Sequence, residues 1–247
     1  MKRKRELTRR QRALRRLAIV ALVLVVVNYV GTYGLTPGHA CRLAEEAMDC
    51  GRTRVIKDLG PAPLEHTVSN RLYLSASDRV VLFTAAVYDL SHGWEAREPF
   101  CIDCTADAPA YGAVCRLRSE WSEEPEDPKD RGDGGKWQHF DEVWYLFGRV
   151  DDPRADRLRG RVVLREEEGG EDLEVLAEAD SERWEWFQKD GESYFFFPVM
   201  TQKGLLSQGK GGYWVFQYQL LDRNGEVLYE DKDLDGVMVN LSRGSWK

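Results

Sequence analysis

Apolar and polar positions change rhythm three times along this chain. Leu17 to Val27 is an unbroken run of Leu, Ala, Ile and Val, and no residue charged at neutral pH follows until Arg42. Leu17–Leu35 holds 19 residues. Coiled as a helix it rises about 28 Å, enough to cover a bilayer's hydrocarbon core. This predicts a transmembrane helix over 17–35, with Tyr29 and Tyr33 at its outer edge. Thr36-Pro37, and Gly51 further on, then frame a juxtamembrane helix over 36–52, with a capping Thr, Pro in the first turn and Gly past the end. Ala40, Leu43, Ala44, Ala47 and Met48 fall on one face of it.

From Arg54 the period becomes two. Leu158, Gly160, Val162 and Leu164 alternate with Arg159, Arg161 and Arg165, which predicts a strand with one wet face. Trp214, Phe216, Tyr218 and Leu220 alternate with Gln217 and Gln219 in the same way. Val143–Val150 and Tyr194–Val199 are apolar on both faces, as central strands would be, and Val80–Leu90 is a further strand. Hairpins are expected at Asp190-Gly191, between Trp184–Gln188 and Ser193–Met200, and at Asn224-Gly225, between Tyr213–Asp222 and Glu226–Asp231. The fold class is therefore mainly β: an antiparallel β-sandwich over 53–247, immunoglobulin-like as the commonest form, with an acidic loop at 119–136.

Charge gives the topology. Residues 1–16 carry nine Lys and Arg against Glu6, a net +8, so the remainder stands at −15 within an overall −7. Basic residues stay on the cytoplasmic side, which makes 1–16 a cytoplasmic stub and puts the C-terminal part outside, in the cell membrane's outer milieu. A cleaved signal peptide is the rival, but the small-residue site before Cys41 lies about ten residues past the apolar stretch. An outer part this acidic is repelled by nucleic acid. The expected partners are the lipid bilayer through Leu17–Leu35 and an envelope protein or surface ligand.

Trp144-Tyr145-Leu146-Phe147-Gly148-Arg149-Val150-Asp151-Asp152-Pro153-Arg154 is followed by the Leu158–Leu164 strand. The aromatic Tyr194–Phe197 strand and the Leu220–Val227 hairpin come after it in order. Over about residues 140–232 this succession resembles poorly characterised, membrane-anchored outer-surface β-sandwich proteins of Gram-positive bacteria. The resemblance implies a β-sandwich outside the membrane and brings no catalytic residues with it.

Five cysteines occur: Cys41, Cys50, Cys101, Cys104 and Cys115. Within one helix Cys41 and Cys50 stand about 13.5 Å apart in rise, beyond the roughly 7 Å that a bridge allows. One bridge among Cys101, Cys104 and Cys115 is the default expectation. The Cys101-Ile102-Asp103-Cys104 spacing also suits a redox pair, and with His92 the three thiols make a Cys₃His zinc set. Asp103 works against a thiolate, Pro109 against a following helix, and the second Cys pair of most zinc sites is missing.

Asp231-Lys232-Asp233-Leu234-Asp235-Gly236 matches the first half of a calcium loop, making Asp231, Asp233 and Asp235 metal candidates. Position 12 is Ser242 in place of the bidentate Glu, so a solvated turn competes. Arg131-Gly132-Asp133 is an integrin tripeptide in the acidic loop, and three residues recur by chance. Trp184 and Trp186 would share one strand face, with Tyr194 and Phe196 across the hairpin, either as core or as a stacking platform. His39, His66, His92 and His139 are scattered through no recognised nucleophile or zinc motif. No catalytic residue and no cofactor is assigned. The expected function is a membrane-anchored binding or envelope-interaction module. A carbohydrate- or peptide-binding module using exposed aromatics is the alternative, and a metal-dependent hydrolase the third.

Overall fold

The computed structural model describes residues 9–30, 34–123, 137–166, 170–205 and 213–242. Helix α1 (Arg9–Val30) begins in the basic block and carries the apolar run, with Leu17, Ile19, Val20, Leu22, Val23, Leu24, Val25 and Val26 exposed. Among the described residues no helix is long and apolar enough to cross a membrane. Only Leu17–Val30 of the expected span lies in α1, about 21 Å of rise. Residues 31–33, Tyr33 among them, and residues 1–8 of the basic stub lie outside the described residues.

Helix α2 (Pro37–Ala47) starts at Thr36, whose backbone is extended and whose side chain makes no capping bond. It stops earlier than 52 because Asp49 and Gly51 turn the chain through positive φ. Its buried face is His39, Ala40, Cys41, Ala44 and Glu45. Ala47 is exposed, so the face is rotated from the expected one toward the sheet beneath.

That sheet is the meander β1 (Arg54–Gly60), β2 (Asn70–Ala76), β3 (Val80–Asp89) and β4 (Gly93–Asp103), antiparallel in chain order. A second sheet joins β5 (Ala110–Glu123), β6 (Trp137–Val150), β9 (Phe187–Lys189), β10 (Glu192–Leu205) and β13 (Gly236–Asn240) in the order β13-β5-β6-β10-β9. Among the described strands of this sheet, β13 on β5 is the parallel pair. A third has the order β12-β11-β7-β8, from β7 (Ala155–Arg165), β8 (Asp172–Glu182), β11 (Tyr213–Asp222) and β12 (Val227–Asp231). The chain is thus mainly β with antiparallel sheets and few helices, as the period-two patterning predicts.

Side chains alternate across a strand, and in the five-stranded sheet both sets are apolar. Tyr111, Ala113, Cys115, Leu117, Val143, Tyr145 and Phe147 join Leu72, Leu74, Val81 and Phe83 of the meander in one core. Val114, Trp144, Leu146, Phe195 and Phe197 join Leu158, Val162, Phe216, Tyr218 and Leu220 of the third sheet in another. The five-stranded sheet is therefore a middle layer. This accounts for the doubly apolar Val143–Val150 and Tyr194–Val199 runs, and it gives three sheets among the described residues. Tyr73 and Ala86, on the meander's outer face, pack against Ala40 and Cys41 of α2.

Two local expectations are corrected. The acidic loop starts later than 119: Ser119–Glu123 continue β5 in register with Trp137–Asp141, and Ser119 is fully buried. Residues 124–136, with Arg131-Gly132-Asp133, lie outside the described residues. Trp184–Gln188 is not one strand. A 3-10 turn at Arg183–Glu185 interrupts it, set by a capping box in which the Glu182 amide donates to Glu185 Oε2 at 2.9 Å.

Candidate functional site

A polar concavity opens at the end of the meander where β1 begins. A cleft of about 460 Å³ is lined by Arg52, Arg54, Ser77, Asp78, Arg79 and Tyr194, with Asp190 and Glu192 opposite. Each wall has a local cause. Glu45 of α2 is buried and accepts from the Thr53 amide at 2.7 Å and the Thr53 hydroxyl at 2.8 Å, while Arg52 pairs with it at 3.4 Å. The helix thereby fixes the chain's entry into β1. The β2–β3 turn at Ser77–Arg79 is closed by the Ser77 amide on the Val80 carbonyl at 2.9 Å. The far wall is the β9–β10 turn, where Asp190 (φ 53) and Gly191 (φ 92) adopt left-handed backbone suited to a two-residue hairpin. Asp190 reaches back to Arg54 at 3.5 Å.

Beneath the cleft lies Arg149 of β6, nearly fully buried. It donates to the Asp78 carbonyl at 3.0 Å and to Asp151 at 2.7 Å, and its guanidinium sits 5.1 Å over the Tyr111 ring. A buried guanidinium needs such partners, and here they anchor the turn that carries Arg79. Burial raises the Tyr194 hydroxyl to about 12, so it stays a neutral donor at every physiological pH. The cleft thus presents three guanidiniums, three carboxylates and a phenol, with no histidine or cysteine among its lining. That set suits binding a charged polar group through bidentate arginine contacts. Among the described residues, none in its lining is a nucleophile paired with a base.

The predicted site residues are mostly kept apart. All five cysteines are free. Cys101 and Cys104 belong to one extended segment, three residues apart, so they point to opposite faces: Cys104 and Cys115 lie in the first core, and Cys101 faces α2. The expected bridge among the three is not formed, and strand alternation is the reason. His92 is in the β3–β4 turn beside Asp89, at the opposite end of β4 from Cys101, which dissolves the zinc set. Burial raises the Cys41 and Cys104 thiols to about 11 and Cys115 further.

Asp231 ends β12, and Asp233 and Asp235 follow in the turn to β13. Asp231 accepts from the Asp233 amide at 3.3 Å, Arg165 reaches the Asp233 carboxylate at 3.9 Å, and Asp235 is bound through its backbone carbonyl to Val114. The three carboxylates do not converge, and among the described residues no group of three His, Cys, Asp or Glu is arranged to hold a metal ion. Trp184 is 82% exposed and Trp186 6% exposed. Trp186 and Tyr194 lie in different cores, so the four aromatics form no common platform. Trp184 instead borders a second, shallower hollow with Asp156, Glu182, Arg183 and Gln188. His66 and His139 flank the Trp121 ring at centroid distances of 4.6 and 5.5 Å, while His39 is buried in α2.

Sequence reading missed Arg52, Arg54 and Arg79. They stand in two segments brought together by the β1–β2 pairing, in which Arg54 lies opposite Ala76, and no spacing rule links either to Asp190. No family model, curated protein or solved structure matches this chain.

Proposed function

We propose that this is a single-pass membrane protein, cytoplasmic at its N-terminus, whose β-rich part stands outside as a binding or envelope-interaction module. The observation that carries the reading is α1. Its Leu, Ile and Val side chains from Leu17 to Val26 are exposed around the helix, although the sheets bury their own apolar faces. A helical stretch apolar on every side calls for an apolar surrounding, and the nine basic residues ahead of Leu17 favour a cytoplasmic start. The arginine-lined cleft is the module's binding site for a polar, charged ligand. In this reading the sheets are sandwich packing extended by a layer, in place of an immunoglobulin-like pair. The resemblance to Gram-positive outer-surface proteins belongs to the same reading.

Protease shaving of intact cells tests it. A membrane-fraction protein losing its β-rich part to external protease is the expected result. Recovery in the soluble fraction, or full protection in intact cells, would overturn it.

Trp184 favours a second reading, a carbohydrate- or peptide-binding surface: a large aromatic ring left in solvent beside a hollow is the usual stacking element for sugars. Binding of glycans or peptides that survives Trp184→Ala would remove it.

A further inference from the structure

The cleft at the start of β1 carries its charges on separate walls. Arg54 of β1 and Arg79 of the β2–β3 turn stand on the meander side, and Asp190 and Glu192 of the β9–β10 hairpin stand opposite. Arg52 and Asp78 complete the charged lining without changing that division. Arg52 leans toward Glu45 of α2 at 3.4 Å, and Asp78 precedes Arg79 in the same turn. The lining therefore holds three positive and three negative side chains. A lone anion beside the arginines meets carboxylates across the cleft, and a lone cation beside the carboxylates meets arginines, so neither is favoured. A molecule bearing one charge of each sign satisfies both walls. The ion pair that bridges them is easily exchanged: Arg54 Nη1 and Asp190 Oδ2 are 3.5 Å apart, with 79% and 63% of their side chains exposed. Water screens such a pair, and a ligand's own carboxylate and ammonium replace it at little cost. Tyr194, nearly fully buried, and Ile56 add a phenol and an apolar surface to the lining.

We propose, resting on the cleft being the module's binding site, that its ligand is a short peptide with both ends free. The peptide's carboxylate lies against Arg54 and Arg79, and its ammonium lies against Asp190 and Glu192. A planar carboxylate takes two parallel bonds from one guanidinium, which a single-atom anion does not. An ammonium has three donors and no acceptor, so two facing carboxylates suit it. Size selects a peptide over a single amino acid. A cube of the cleft's volume has an edge of roughly 8 Å, the reach of two or three extended residues at about 3.5 Å each.

The test titrates the full chain in detergent with trialanine, N-acetyl-trialanine and trialanine amide by calorimetry, with inorganic phosphate and methylammonium as the lone ions. Trialanine is expected to bind, and capping either end should weaken it about tenfold or more, since a charge-assisted contact is lost. Arg79→Ala should erase the advantage of the free carboxylate and Glu192→Gln that of the free ammonium, each leaving the other in place. Arg79 is exposed and Glu192 half-buried, and an unchanged circular dichroism spectrum shows that both variants fold. A capped peptide that binds as tightly as the free one, or trialanine binding unchanged in both variants, would overturn the proposal. Phosphate and capped peptide both binding, and both lost in Arg79→Ala, would overturn the zwitterion while leaving the cleft a site for charged ligands. Binding of none of the five probes would remove the cleft as a binding site as well.

Discussion

Gly34 and Gly93 approach so closely that neither can carry a side chain. A Cβ on Gly34 would lie 2.1 Å from the Trp94 carbonyl oxygen, and one on Gly93 would lie 2.3 Å from the Gly34 carbonyl oxygen. Gly93 also has φ +76. The segment following the apolar helix is thus bonded backbone to backbone onto the edge of the meander. Gly34→Ala should free this segment with little effect on the sheets, read as faster proteolysis ahead of α2 at an unchanged melting temperature. Gly93→Ala should do both, costing about 1–3 kcal/mol through the strained turn as well.

The two neighbouring tryptophans should separate sharply. Trp186→Ala empties part of the second core and should cost about 3–5 kcal/mol in denaturant unfolding. Trp184→Ala should stay within about 0.5 kcal/mol of the parent. Acrylamide quenching should fall in the Trp184 variant and persist in any folded fraction lacking Trp186.

Glu142 is fully buried between Arg116 at 2.6 Å and Arg118 at 3.5 Å and accepts from the Trp144 indole. Glu142→Gln keeps an acceptor for Trp144 but takes from Arg116 its carboxylate, while Arg118 keeps Glu120 at 2.7 Å, at an expected cost of about 2–4 kcal/mol. Replacing Arg116, Glu142 and Arg118 together by Met, Leu and Met should recover most of that loss, because no buried charge is left alone. Chemical denaturation of the two variants measures the difference.

Acid should loosen the third sheet. Asp172 bonds Arg165 at 2.8 Å and Gln217 at 2.8 Å, and the guanidinium, then the amide, hold its carboxyl below the usual range. A carboxylate lowered in the folded state stabilises above its unfolded value, and that contribution is lost as pH falls through the folded one. The loss therefore begins below about pH 4. Asp172 is substantially exposed, so screening limits the pair to about 1 kcal/mol or less. The stability difference between parent and Asp172→Asn should shrink between pH 7 and pH 3.

In the reduced protein iodoacetamide should find Cys50 first. Burial raises every thiol, but Cys50 is not pushed as far as Cys101, at about 12, or Cys41 and Cys104, at about 11. Cys115, fully buried in the first core, should react only on unfolding. Time-resolved alkylation at pH 8 reads this order.

Local rules carried the strands, and long-range packing escaped them. The Leu158–Leu164 alternation and the Asn224-Gly225 turn appear as β7 and the β11–β12 hairpin because period and turn chemistry act within a few residues. Val143–Val150 announced two covered faces, yet no pattern says how many sheets cover them. Trp184–Gln188 alternates like a strand and is diverted by the Glu182–Glu185 box. Ser119–Glu123 reads as loop from its acidic composition, but strand pairing with β6 overrides composition. The Cys101–Cys104 spacing suggests proximity only until the segment is known to be extended.

β13 pairs with β5 although Met238 and its partner Arg116 are separated by most of the chain's strands. The ribosome therefore delivers one edge of the shared middle layer early and its parallel neighbour last, after roughly 120 further residues. Until Gly236–Asn240 have emerged, the layer both cores depend on has an unfilled border. A nascent chain of this sequence therefore carries an open β5 edge on its middle layer until β13, the last strand of the described residues, has been made.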